Sequence, residues 1–166
     1  GRLCGSIGRF VMPAPATGFA GNRTTGAAYE YMVQLCNASD RDMWICVPHL
    51  ATDDYVRKLA RLLRYGSDGV NPYSSVQASP VFPPLEPGRR IFVEYSNEIW
   101  SGGNSFPQGN WAQDQATAQG IGKPQFTARR FCQVWSLFHD EFAGDTARLI
   151  NVAAVFTDNT GYTNPF

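Results

Sequence analysis

The apolar run Met43-Trp44-Ile45-Cys46-Val47 stands between a charged loop and Pro48. A short run with no polar interruption marks a strand buried on both faces, as in a parallel sheet. The residues after it supply the crossover. Thr52 is a suitable N-cap, and Asp53 and Asp54 set negative charge against the positive helix end. Val56, Leu59, Ala60 and Leu63 then line one face as far as Tyr65, with Arg61 and Arg64 suited to the C-terminal turn. Arg90-Ile91-Phe92-Val93-Glu94-Tyr95 repeats the buried-strand pattern.

The rest of the chain extends this alternation. Ala28, Tyr31, Met32 and Leu35 have helical spacing, and the polar run Asn37 to Asp42 closes that helix. Helical patterns recur near Trp111 to Gln119 and Pro124 to Phe142, and Leu149 to Phe156 reads as a third strand. The Gly/Pro-rich opening offers only a short strand at Ile7 to Met12, ended by Pro13 and Pro15. Strands alternating with helices give an α/β class with a parallel sheet, either doubly wound or part of a barrel. Gly66 to Gly88 is too long and too rich in Gly, Pro and Ser for a minimal connection, so it reads as a loop excursion placed to meet substrate or another module.

Charge narrows the partners. The 14 basic and 14 acidic side chains of the 166 residues cancel, which leaves no footprint for phosphate backbones or anionic lipid, and nucleic acid is not an expected partner. No apolar run approaches the roughly 20 residues of a spanning helix, so membrane insertion is not expected. Gly1-Arg2-Leu3-Cys4 has neither an initiator Met nor a signal-peptide pattern, and the chain reads as an excerpt of something longer. Cys4, Cys36, Cys46 and Cys132 lack close-paired spacing, which argues against a zinc site and leaves disulfides open. The acceptor sequons at Asn22 and Asn37 fit N-glycosylation, so an extracellular or secreted glycoprotein is expected, with a cell wall or surface assembly as one setting.

The chemistry concentrates in Val93-Glu94-Tyr95-Ser96-Asn97-Glu98-Ile99-Trp100, where polar residues follow the C-terminal end of an apolar strand. In α/β barrels that end faces the active site. A carboxyl held there partly desolvated stays protonated and can donate to a leaving oxygen, a role that suits Glu98. Asn97 offers an amide for a sugar hydroxyl, and Trp100 an apolar face for a sugar ring. Strand alternation would turn Glu94, Ser96 and Glu98 to one side, where a buried Glu94 needs a partner such as Arg. The plainer reading is that Asn97 and Glu98 cap the next element, that Asp53 and Asp54 serve only a helix start, and that Tyr95, Trp44, Trp111 and Trp135 mostly fill the core. Trp111 stands beside Trp100 as a second sugar contact.

Three longer stretches carry a resemblance. Tyr29-Glu30-Tyr31-Met32-Val33-Gln34-Leu35-Cys36-Asn37 and Asp42-Met43-Trp44-Ile45 come first. Val47-Pro48-His49-Leu50-Ala51-Thr52-Asp53-Asp54-Tyr55 and Phe92-Val93-Glu94-Tyr95-Ser96-Asn97-Glu98-Ile99-Trp100 follow in order. Together they resemble a bacterial and algal group of cellulase-like proteins in glycoside hydrolase clan A, over roughly Thr25 to Gln119. The resemblance implies that all 166 residues form part of one (β/α)₈-barrel domain covering about strands 2 or 3 to 5. It makes the Met43 strand the third and the Phe92 strand the fourth, and sets Glu98 at the general acid/base, Asn97 at its sugar-binding partner and His49 among the pocket residues. From the residues alone, a lone His after a buried strand is more often structural.

The implied activity is retaining hydrolysis of a β-linked glycan, with no metal or organic cofactor. The second carboxylate of that reaction comes in the clan from the seventh strand, and a full barrel takes about 250 residues, so no residue of this chain is assignable as nucleophile. The remainder of the same protein, or a neighbouring chain, would then meet the open barrel edges. The alternative is a non-catalytic structural or carbohydrate-binding domain of an extracellular glycoprotein assembly.

Overall fold

The computed structural model describes residues 27–156, so the expected strand at Ile7 to Met12, Cys4, and the sequon at Asn22 lie outside the described residues. Helix α1 (Tyr29–Ser39) leads into strand β1 (Met43–Val47), followed by helix α2 (Asp53–Tyr65) and strand β2 (Ile91–Tyr95). Helices α3 (Pro107–Ala118) and α4 (Lys123–Glu141) come next, and a short 3₁₀ turn at Thr146–Arg148 enters strand β3 (Leu149–Val152). The three strands form one parallel sheet in chain order β1-β2-β3, so the α/β reading holds.

The sheet is packed by helices on one face. Met43, Ile45 and Val47 of β1 and Ile91 and Val93 of β2 are buried in a core shared with Val56, Leu59 and Leu63 of α2 and Phe131, Val134 and Phe138 of α4. The expectation that β1 is buried on both faces is corrected by Trp44, which lies on the opposite face and is 54% exposed. A five-residue apolar run gives no period with which to tell the two cases apart, because an aromatic residue on an open face looks like core in sequence.

Helix α2 starts as expected, with the Thr52 hydroxyl accepting from the Tyr55 N–H at 3.2 Å. Its arginines also reach across to the neighbouring helix. Arg61 forms a two-pronged contact with Glu141 at 2.8 and 3.0 Å, and Arg57 reaches Glu141 at 3.2 Å and Asp140 at 3.0 Å. Arg64 donates to the carbonyls of Glu141 and Ala143. Arg64 stands in the last turn of α2 as expected, and the three cations together also face the negative C-terminal end of α4, the neighbouring helix.

The excursion after α2 is a packed element at the strand-start end of the sheet, since it leaves the C-terminal end of α2 and returns into the first residue of β2. Ser67 is fully buried and pairs with Phe82, and Leu85 inserts into the core with its N–H donating to Leu63 O at 3.0 Å. Gly66 makes the turn at φ 80°, and a Cβ there would overlap the Phe82 carbonyl. Arg148, itself buried, donates to the carbonyls of Leu85, Glu86 and Arg89 at 3.0, 2.8 and 2.9 Å. The segment lies at the opposite end of the sheet from Glu98, away from the expected site residues.

Cys36, Cys46 and Cys132 are free thiols, so no disulfide joins the described cysteines. Burial, then the Glu94 carboxylate beside it, pushes the Cys46 thiol up to about 12. No helix among the described residues is long and apolar enough to cross a membrane.

The Arg57–Arg61–Glu141 contact yields a pH test. Partial burial raises the Glu141 carboxyl, but hydrogen bonds from Arg61 and Arg57 outweigh it and hold the group below its usual range. A depressed carboxylate contributes stability above its unfolded pKa, about 4.3, and loses it as pH falls through the folded value. Glu141→Gln should cost about 1–2 kcal/mol at pH 7. Urea titrations at pH 7 and pH 3 check this: the gap between variant and parent should narrow in acid, and an equal gap at both would refute the pairing.

Candidate active site

Parallel pairing sets the two motif-bearing strand ends side by side. Val47 lies opposite Tyr95 in the register, so the segments that leave β1 and β2, with His49 on one and Asn97 and Glu98 on the other, emerge at the same end of the sheet. The Tyr95 hydroxyl crosses between them and donates to His49 O at 2.8 Å. Tyr95 is fully buried, and its phenol is pushed up by burial, partly offset by the Arg130 guanidinium stacked 5.6 Å from its ring.

Strand β2 ends at Tyr95, and residues 96–100 form turns in which Ile99 N–H donates to Ser96 O and Ser101 N–H to Glu98 O. The expected alternation therefore stops before Glu98, and Glu94, Ser96 and Glu98 do not share a strand face. Glu98 itself adopts φ 45°. That left-handed backbone is uncommon for a residue with a long side chain and persists only where the surroundings over-determine it.

Those surroundings are the first turns of α3 and α4. Gln108 Nε2 donates to Asn97 O at 2.6 Å, and the Asn110 side chain exchanges two hydrogen bonds with the backbone of Gly103. Gly109 is buried against the turn: a Cβ there would overlap the Ser101 carbonyl and come within 3.1 Å of Ile99 O. Lys123 Nζ donates to Trp100 O at 3.0 Å and Ser101 O at 2.6 Å. None of these four residues stood out in the sequence. The available signals were a glycine in the first turn of a helix and a lysine at a helix N-terminus, both weak alone.

Each expected site residue can now be placed. Asn97 is exposed, and Glu98 and Trp100 are half-buried in the turns beyond β2. His49 is half-buried with its ring edge-on to Trp111, 5.3 Å between centroids, and burial holds its imidazole below the usual histidine range, hence neutral. Trp111 is partly buried, packed on the core and edge-on to Phe126, and so supports His49. Asp53 pairs with Arg130 and accepts from Gln133, and Asp54 pairs with Lys58, so both acids serve the start of α2 and its junction with α4.

Glu94 departs from expectation in its partners. It is buried, and its Oε2 accepts from Trp44 Nε1 at 2.8 Å and Cys46 Sγ at 3.4 Å where an arginine was expected. Among the described residues no group of His, Cys, Asp and Glu is arranged to hold a metal ion. No protein-family model, curated protein or solved structure matches the chain.

Asn37, the sequon inside the described residues, is engaged far from Glu98. Its side-chain amide donates to Pro84 O at 2.9 Å and accepts from Glu86 N–H at 3.1 Å, binding the end of α1 to the excursion. A glycan on that nitrogen would have to fit beside Pro84 and take one of the two amide hydrogens, crowding the clamp, so peptide mapping of protein from its native source should find Asn37 unmodified. An occupied Asn37 would show that the clamp is dispensable.

Gly109 gives a test in which the sign decides. Replacing a glycine within a helix by alanine ordinarily stabilises by about 1 kcal/mol. Here the added methyl collides with the Ser101 carbonyl, so Gly109→Ala should lower the melting temperature and speed amide exchange at residues 98–103. A raised melting temperature would show that α3 does not lie against this turn.

Proposed function

We propose that the chain is part of a (β/α)₈-barrel glycosidase domain of the cellulase-like kind its motifs resemble, with Glu98 as the general acid/base. The observation that carries the reading is the placement of Glu98 and Asn97 in a braced turn at the C-terminal end of the middle strand, beside His49 at the end of its parallel neighbour. Strands that pair in chain order, with helices on one face, support a barrel over a doubly wound sheet, whose helices cover both.

On this reading a β-glycan lies across the strand ends. Glu98, as the acid, gives its proton to the glycosidic oxygen while a second carboxylate, about 5–5.5 Å away, attacks the anomeric carbon. The leaving sugar departs as an alcohol, and Glu98, now a carboxylate, takes a proton from the water that releases the glycosyl intermediate. Asn97 and neutral His49 bind sugar hydroxyls, and the half-buried Trp100 borders the ring. The attacking carboxylate belongs to the seventh barrel strand, outside these 166 residues, so turnover is proposed for the complete barrel. Protonation by one carboxyl and attack by another complete the reaction without a cofactor. An extracellular setting follows from a polymeric glycan substrate.

Glu98→Gln in the complete protein keeps the side-chain shape and removes the proton. It should lower kcat/KM about 10²–10⁴-fold on an oligosaccharide, and far less on an aryl glycoside whose leaving group needs no protonation. Equal losses on both substrates would remove Glu98 from the acid role. Oligosaccharide binding by the unaltered protein without hydrolysis would favour the carbohydrate-binding alternative.

A further inference from the structure

Lys123 joins the start of α4 to the turn beyond β2. It opens α4, where the positive end of the helix disfavours a cation, and it is half-buried, which lowers its affinity for a proton. A lysine kept at such a position carries two electrostatic costs. Among the contacts that hold it are hydrogen bonds to two consecutive carbonyls, Trp100 O and Ser101 O. The same Ser101 closes its own N–H on Glu98 O at 3.0 Å, so the lysine grips the far side of the turn that holds Glu98 at φ 45°.

Gln108, Gly109 and Asn110 hold that turn from α3 with neutral groups or close approach. Lys123 holds it from a second helix, with charge-assisted bonds that are about twice as strong as neutral ones. Two helices gripping one turn from different directions leave its backbone little freedom to relax. A misplacement of about 1 Å in a catalytic group costs about 10²-fold in rate.

We propose that Lys123 is a positioning residue for Glu98: by holding the Trp100 and Ser101 carbonyls it keeps the left-handed turn that aims the carboxyl at the glycosidic oxygen. The role rests on the acid/base reading of Glu98. It assigns Lys123 no contact with substrate and no proton transfer.

The test is Lys123→Met in the complete protein, assayed beside Glu98→Gln. If Lys123 aims the proton donor, kcat/KM on an oligosaccharide should fall about 10²-fold, whereas kcat/KM on a dinitrophenyl glycoside should change little. A lysine that merely supports folding would lower the melting temperature and affect both substrates alike, and that result, or unchanged kinetics on both, overturns the proposal. Should Lys123→Met fail to fold, Lys123→Gln, which keeps a donor without the reach or the charge, carries the same comparison. A selective loss on the oligosaccharide in Glu98→Gln but not in the lysine variants sinks the positioning role alone. Indifference of the unaltered protein to Glu98→Gln, or its inactivity, sinks the acid/base reading and the role of Lys123 with it.

Discussion

The parallel register that sets Val47 beside Tyr95 governs the Glu98 end of the molecule, because it decides which segments leave the sheet together. Slide β2 by one residue and every side chain on it changes face, so the core residues Ile91 and Val93 would exchange places with Phe92 and Glu94. Burial on the helix side makes that exchange costly. The Tyr95–His49 hydrogen bond closes the register at the strand ends, and Trp135 Nε1 reaches the Val93 carbonyl at 3.1 Å from α4. Each of these contacts ties the position of the site to the packing of the core.

From that anchored end the chain has to turn at once, and the turn is where local preference and global structure disagree. A glutamate in the left-handed region is a local cost, of the order of 1–3 kcal/mol. It is sustained by a glycine that lets α3 approach, by side-chain amides that replace missing backbone partners, and by an ammonium group on two carbonyls. Such conflict between levels is expected at functional sites and unusual elsewhere. Asp40 offers the contrast: it is also left-handed, at φ 60°, but it closes the C-terminal end of α1, where that conformation is routine.

How much of this the sequence discloses follows from the range of each interaction. Short-range signals survive: the Thr52 cap, the apolar stripe of α2, and the runs that become β1 and β2 all describe contacts within a few residues. What fails is whatever depends on a distant partner. Arg61 reads only as part of the end of its own helix because Glu141, 80 residues on, is invisible to a local pattern. Helix α3 begins a turn earlier than its apolar spacing indicates, since Pro107 to Asn110 are chosen for the turn they brace rather than for the core. Asn97 and Glu98 were legible as a motif, and the residues that hold them were not, because bracing is done by types common everywhere on a surface.

The face of the sheet turned away from the helices carries the last constraint. Trp44 stacks on Phe92 with centroids 5.3 Å apart and planes 4° from parallel, and the register continues that row to Ile150. The next row is Cys46, Glu94 and Val152, where Trp44 and Cys46 both donate to the Glu94 carboxylate. Parallel strands are ordinarily covered on both sides, since βα crossovers protect one face and something else must protect the other. No described helix does so here. A row of large side chains followed by a row with a buried acid suits the interior of a closed barrel, where inward residues fill successive layers below the catalytic rim. On that reading Glu94, held by Trp44 and Cys46, belongs to the sheet face below the strand ends, whereas Glu98 lies beyond the strand in the braced turn, so the two carboxyls are held by separate sets of partners.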